Sequence, residues 1–316
     1  MPWGVLTLKG VVFPTEEETT TSSTLTVDPT IVEPSSHYIM FELPAHNVAG
    51  LLFSAVEMQD DFVVQIARDI LQAVAAMHQE GIVHRNVSLQ NVFLVGRRAK
   101  VGGFYFSRSM PLKQKRFSLS RSEMEEHERG LLPNTAPELL LGSRSYTPAC
   151  DMWSVGCCII TLFLRRVLFH GNDPAGWIYN IFKVVGTPTS TNWPQGKTLR
   201  HYKKRKPHRE YTNNLIKALS EKQSEVIHPQ LLEVLQAILK LNPNERMSAQ
   251  QVLELPFFTN SLKVSATPPS LEKSYFEDQT MVPDSLRHQA LRCSLISKKR
   301  DSDSSETSGS EAKRRG

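Results

Sequence analysis

The chain has 316 residues, 40% of them apolar, and a formal net charge of +5. That length allows one large domain or two modest ones, and the apolar fraction supplies a real core, which excludes a wholly disordered chain. Of four cysteines, three lie close together at Cys150, Cys157 and Cys158; they form neither a spaced disulfide framework nor a metal knuckle and read as buried thiols.

No basic region leads into a long apolar stretch at the N-terminus, so no signal peptide is expected. The longest apolar run, Val155 to Leu164, is too short to span a bilayer and is closed by Arg165 and Arg166. An intracellular protein without membrane contact is expected.

Residues 1–36 hold Glu16-Glu17-Glu18 and a run of threonines and serines with little to bury, so no fixed structure is expected there. Tyr38 to Leu43 reads as a strand stopped by Pro44, followed by a short helix from Val48 to Phe53. Phe62, Val63, Ile66, Ala67, Ile70, Val74 and Met77 recur at steps of three and four. That is the apolar stripe of a packed helix, ended by Gly81. Ile82-Val83-His84 and Val92 to Val95 are strand-like and predict a hairpin-like pair flanking a polar loop. Helices are predicted at Met152–Phe163, Trp177–Val185, Leu231–Leu239 and Ala249–Leu253. Periodicity is lost after about Leu262, so the packed unit is placed at 37–260 and a basic, serine-rich tail without fixed structure at 261–316.

The polar loop carries His84-Arg85-Asn86 and then Asn91, followed by Gly103-Phe104-Tyr105, Ala136-Pro137-Glu138 and Asp151-Met152-Trp153-Ser154-Val155-Gly156. In order and spacing these resemble the C-terminal lobe of the protein kinase family, which has His-Arg-Asp, Asn, Asp-Phe-Gly and Ala-Pro-Glu. Phe41-Glu42 with His46 to Leu52, Leu168 to Gly171, Gly186-Thr187-Pro188 and Leu241-Asn242-Pro243 with Arg246 resemble the cyclin-dependent and MAP kinase group. The implied fold is mainly α, a kinase-like C-terminal lobe with short β-hairpins. The resemblance gives structural roles to His84, Arg85, Phe104, Glu138, Asp151 and Arg246: Glu138 paired with Arg246, Asp151 capping the His84-Arg85 turn, His84 and Phe104 in the apolar column between the lobes.

The same resemblance marks departures. Asn86 stands at the base aspartate, Ser88 at a phosphate-contacting lysine and Gly103 at the metal-binding aspartate. A carboxamide orients a hydroxyl but accepts no proton at neutral pH, and glycine offers a metal only its backbone. Asn91 is left as the one candidate for nucleotide or metal contact. No Gly-x-Gly-x-x-Gly occurs before the hinge, where Lys9 is the only lysine. The N-terminal lobe is therefore expected to be truncated or absent, and with it the regulatory helix, so cyclin binding is not expected. The reading that follows is a catalytically inactive, kinase-like binding or scaffold protein with no catalytic residues, no cofactor and an unidentified protein partner. Its alternative is an active ATP-dependent serine/threonine kinase of the same group, using ATP and Mg²⁺.

Basic residues run from Lys197 through Arg200, Lys203, Lys204, Arg205 and Lys206 to Arg209, with further clusters at Lys298-Lys299-Arg300 and Lys313-Arg314-Arg315. They favour nuclear import; without interleaved aromatics or a zinc pattern, nucleic acid is not expected as a partner. The stretch between Met110 and Gly130, with Ser118, Ser120 and Ser122 among charges, reads as a loop and a candidate target for phosphorylation.

Overall fold

A helix of 20 residues, Asp60–Gln79, runs through the centre of the protein. The computed structural model describes residues 4–12, 38–44, 46–54, 58–110, 117–118, 134–220 and 227–260. The central helix, α2, buries Phe62, Ile66, Ile70, Val74 and Met77, places Asp60 and Asp61 where the helix dipole favours anions, and stops at Gly81, whose φ of 70° only glycine adopts without strain. The short helix α1 (Val48–Leu52) precedes it, its first turn capped by the Asn47 side chain, which accepts from the Gly50 N–H at 2.6 Å.

Against α2 packs α3 (Ala149–Leu164), buried on every side from Cys150 to Leu162, the mark of a helix inside a core. Trp153 at its centre stacks on Phe169 with ring centroids 5.3 Å apart. The outer layer consists of α4 (Pro174–Val185), α5 (Leu215–Ser220), α6 (Pro229–Ile238) and α7 (Ala249–Leu253). The last begins with a reciprocal cap between Ser248 and Gln251.

The strands are short. β1 (Leu8–Val12) pairs antiparallel with β2 (Tyr38–Phe41). A three-stranded sheet has the order β3 (His46–Asn47), β5 (Val92–Val95), β6 (Arg98–Val101). β4 (Ile82–Val83) pairs with β7 (Arg108–Ser109). The hairpin predicted across 82–95 is thus corrected: β4 and β5 belong to different sheets, and the true hairpin is β5–β6, turned at Gly96 with φ 61°.

The segment ahead of the hinge folds onto this sheet. Val101 N donates to Gly4 O at 2.6 Å, Leu6 N to Val101 O at 3.0 Å, and Thr7 and Glu42 exchange two further bonds. This is the physical ground for revising the expectation of a lone C-terminal lobe: residues before Glu42 supply backbone pairing along the edge of the β5–β6 hairpin. Residues 13–37 and 261–316 lie outside the described residues, as do most of the 110–130 loop and both tail basic clusters. No helix of the described residues is long and apolar enough to cross a membrane.

Candidate active site

Asp151, in the first turn of α3, is fully buried and holds the polar loop from beneath. Its two carboxylate oxygens accept from His84 N at 2.8 Å and Arg85 N at 2.7 Å, and His78 Nε2 lies 2.9 Å from the first of these. Burial alone would push its pKa up; the His78 hydrogen bond and the His84 N–H outweigh this and hold it below the ordinary carboxylate value. The clamp fixes a turn that needs fixing, because Arg85 sits at φ 67°, a costly value for a side chain of its size. His78 had no sequence signal beyond its place in the last turn of α2.

His84 is buried and its tautomer follows from its partners. Nε2 lies 2.9 Å from the Gly102 carbonyl, which only accepts, so Nε2 carries the proton; Nδ1 then accepts from Asn86 N at 3.2 Å. Burial lowers its pKa, consistent with a neutral ring. Phe104, half-buried, meets that ring edge-on at 4.9 Å. One imidazole thus joins the loop of Asn86 to the strand end carrying Gly102 and Gly103.

Asn86 and Asn91 are linked directly: Asn91 Nδ2 donates to the Asn86 carbonyl at 2.9 Å, and Gly102 N donates to the Asn91 carbonyl at 2.8 Å. Gly103 adopts φ 75°, and a Cβ built there would run into the Asn91 carboxamide. Ser88 is buried immediately before the turn Leu89–Asn91, with no side-chain capping bond. The hinge carboxylate Glu42 receives Lys100 Nζ at 2.7 Å and Thr7 N at 2.8 Å. The Lys100 and Thr7 links were not evident in the sequence.

Glu138 and Arg246 form a buried bidentate pair, with Nη1–Oε1 at 2.8 Å and Nη2–Oε2 at 2.7 Å. Arg246 further donates to the carbonyls of Ala149, Lys240 and Leu241 and lies over the Trp153 ring. Every strong donor is used, as a buried ion pair requires. Cys150, Cys157 and Cys158 are buried free thiols, and burial pushes Cys158 up to about 12.

Among the described residues no group of three His, Cys, Asp or Glu side chains is placed to hold a metal. Asn91 and the Gly103 backbone form a neutral donor set and lack the one or two carboxylates that usually hold Mg²⁺ together with substrate phosphates. What the arrangement offers is the carboxamide of Asn91 tied to the backbone of Asn86, in a turn clamped by Asp151.

Comparison with known proteins bears on these features. The family model described as "Protein kinase domain" matches residues 21–258. The alpha subunit of the CTD kinase of Schizosaccharomyces pombe is 30% identical over 73% of this chain and 37% of its own length. Cyclin-dependent kinase B1-1 of Arabidopsis thaliana is 32% identical over 69% of this chain and 63% of its own. The chain thus spans under two thirds of the length of these relatives. In the crystal structure of the yeast RNA Pol II CTD kinase CTDK-1 complex, a chain with 22% identity matches with a TM-score of 0.67, over 84% of this chain and 78% of that one.

Three expectations are corrected by these matches. The expectation of a truncated or absent N-terminal lobe is overturned: the family match begins at residue 21 and the fold match spans most of both chains. The expectation of an inactive scaffold is overturned, since the similar proteins are named as kinases. The exclusion of a cyclin falls as well, because several of those kinases are cyclin-dependent by name and the matched fold comes from a complex. With a family match over most of its length, the chain belongs to the protein kinase domain family.

Proposed function

We propose that the chain is an ATP-dependent serine/threonine kinase of the cyclin-dependent group that works with a cyclin-type partner. The observation that carries the reading is the Asp151 clamp, which holds the His84-Arg85 turn from below, beside the bond from Asn91 Nδ2 to the Asn86 carbonyl. Phosphoryl transfer passes through a largely dissociative transition state, so it asks the protein chiefly for positioning and for electrostatic stabilisation. In this site Asn86 orients the acceptor hydroxyl by hydrogen bonding, and Asn91 stabilises the loop that presents it. Without a carboxylate base the turnover is slower by about 10²–10⁴-fold than that of a relative with aspartate at position 86. The basic run of 197–209 supports a nuclear location, as does the likeness to an RNA Pol II CTD kinase fold.

The test is transfer of label from radiolabelled ATP to a basic protein substrate by the purified full chain, alone and with a cyclin. Label on serine or threonine above a heat-inactivated control, enhanced by the cyclin, is the expected result. No transfer in either condition overturns the proposal.

A further inference from the structure

Between α4, the loop before it and the start of α5 lies a pocket of about 340 Å³. Arg166, His170, Lys183, Arg209 and Lys217 line it, and no carboxylate does. These side chains come from three separate stretches of sequence, so the convergence is produced by the fold. None of the five takes part in an ion pair among the described residues. A neighbouring, larger cavity of about 610 Å³ mixes Glu210 and Glu245 with Lys240, and shows no such selection of sign.

The walls are built. Arg166 is tied down through Nη2 to the carbonyls of Ala218 at 2.6 Å and Leu219 at 3.2 Å, yet its Nε is buried with no acceptor. An orphan donor of this kind is uncommon in a folded protein. Arg209 lies over the Tyr211 ring at 4.9 Å from the centroid, and the Tyr211 hydroxyl meets that of Tyr179 at 3.0 Å. The hydrogen bond from Tyr179, then the hydrogen bond and charge of Arg209 and the charge of Lys183, lower the Tyr211 pKa. Tyr211 itself is anchored to Thr187 through its backbone.

We propose that this pocket binds the phosphate of a phosphorylated serine or threonine side chain in a peptide. A phosphate monoester brings a charge of about −1.5 to −2 and three strong acceptors, and arginine meets it bidentately. The cations converge on one concavity instead of forming a stripe at the repeat of a nucleic acid backbone, and the exposed Lys203 and Lys204 do not line it. The tyrosine wall and the carboxamides of Asn180 and Asn214 supply neutral surface for the peptide around the phosphate.

The experiment is fluorescence anisotropy on the full chain without ATP, so that its outcome is independent of phosphoryl transfer. The probes are a labelled phosphothreonine peptide, its unphosphorylated twin and a single-stranded oligonucleotide, with inorganic phosphate as competitor. The variants are Lys183→Glu/Lys217→Glu in the pocket and Lys203→Glu/Lys204→Glu outside it, all four positions exposed. Expected is phosphate-dependent binding of the peptide, competed by inorganic phosphate and weakened at least tenfold, as an order of magnitude, in the pocket variant alone. Equal binding of the unphosphorylated twin, equal loss in the outside variant, or no binding overturns the proposal. Preference for the oligonucleotide, lost in the pocket variant, also overturns it and assigns the pocket to nucleic acid.

Discussion

Asn91 and Gly103 share one volume: the carboxamide of Asn91 occupies the space that a Cβ at position 103 would need. The β5–β6 hairpin creates the encounter by bringing Gly102 N onto the Asn91 carbonyl. The absence of a side chain at 103 and the placement of Asn91 are therefore one structural fact.

Gly103→Ala tests this coupling. Leaving glycine at φ 75° costs about 1–2 kcal/mol by backbone strain, and displacing Asn91 from the Asn86 carbonyl adds about 0.5–1.5 kcal/mol. In an Asn91→Ala background only the strain remains. A double-mutant cycle by urea unfolding should give a coupling of about 0.5–1.5 kcal/mol. Strict additivity would show that the two residues do not compete for space.

Glu138→Ala should be far more damaging than an average core change. It leaves the Arg246 guanidinium buried without its carboxylate, a loss of about 3–5 kcal/mol. Denaturant midpoints measure it. A loss below about 1 kcal/mol, the range of exposed pairs, would mean that the carbonyls of Ala149, Lys240 and Leu241 alone satisfy Arg246.

Legibility in the sequence followed the range of the interactions. Helix α2 announces itself through its stripe from Phe62 to Met77, and α3 through its apolar run, because helix contacts are local in sequence. The pairing of β4 with β7 was hidden, since two-residue strands carry no alternation and Val83 meets Arg108 only after the chain has closed a loop. β1 was hidden too: five residues without alternation, paired to β2 across the long threonine-rich stretch. At the site, the residue types at 86, 91 and 103 were readable, but the contact between Asn91 and Gly103 was not. The basic run at 197–209 drew attention by density, whereas the pocket takes only Arg209 from it and adds Arg166, His170, Lys183 and Lys217 from outside it.

Stability should fall as the pH drops below about 6.5. Burial lowers the folded-state pKa of both His84 and His46 from the ordinary value of 6.5. The unfolded chain therefore takes up these protons first; the full contribution is present above 6.5 and is lost as the pH falls toward the folded values. Each group adds a slope of at most about 1.4 kcal/mol per pH unit. Asp151, lowered from 3.8, adds its own loss only below that value. Unfolding at a series of pH values should show a shallower slope below 6.5 in His84→Gln. An unchanged slope would mean that His84 does not titrate on unfolding.

Asn86→Asp should accelerate phosphoryl transfer without loosening the fold. Both hydrogen bonds that fix residue 86 use its backbone, the N–H to His84 Nδ1 and the carbonyl from Asn91 Nδ2. The side-chain exchange is isosteric and leaves them in place, so the melting temperature should hold within a degree or two, about what a few tenths of a kcal/mol would produce. The new carboxylate accepts the proton of the acceptor hydroxyl, a contribution of about 10²–10⁴-fold in kcat. Removal of an interaction made only in the transition state alters kcat and kcat/KM together, so its restoration should raise both while the KM for ATP stays constant. Steady-state rates for the two proteins at saturating ATP, with and without a cyclin, decide the matter. A gain confined to KM would place residue 86 in binding and not in proton transfer, and an unchanged kcat would remove it from the chemistry.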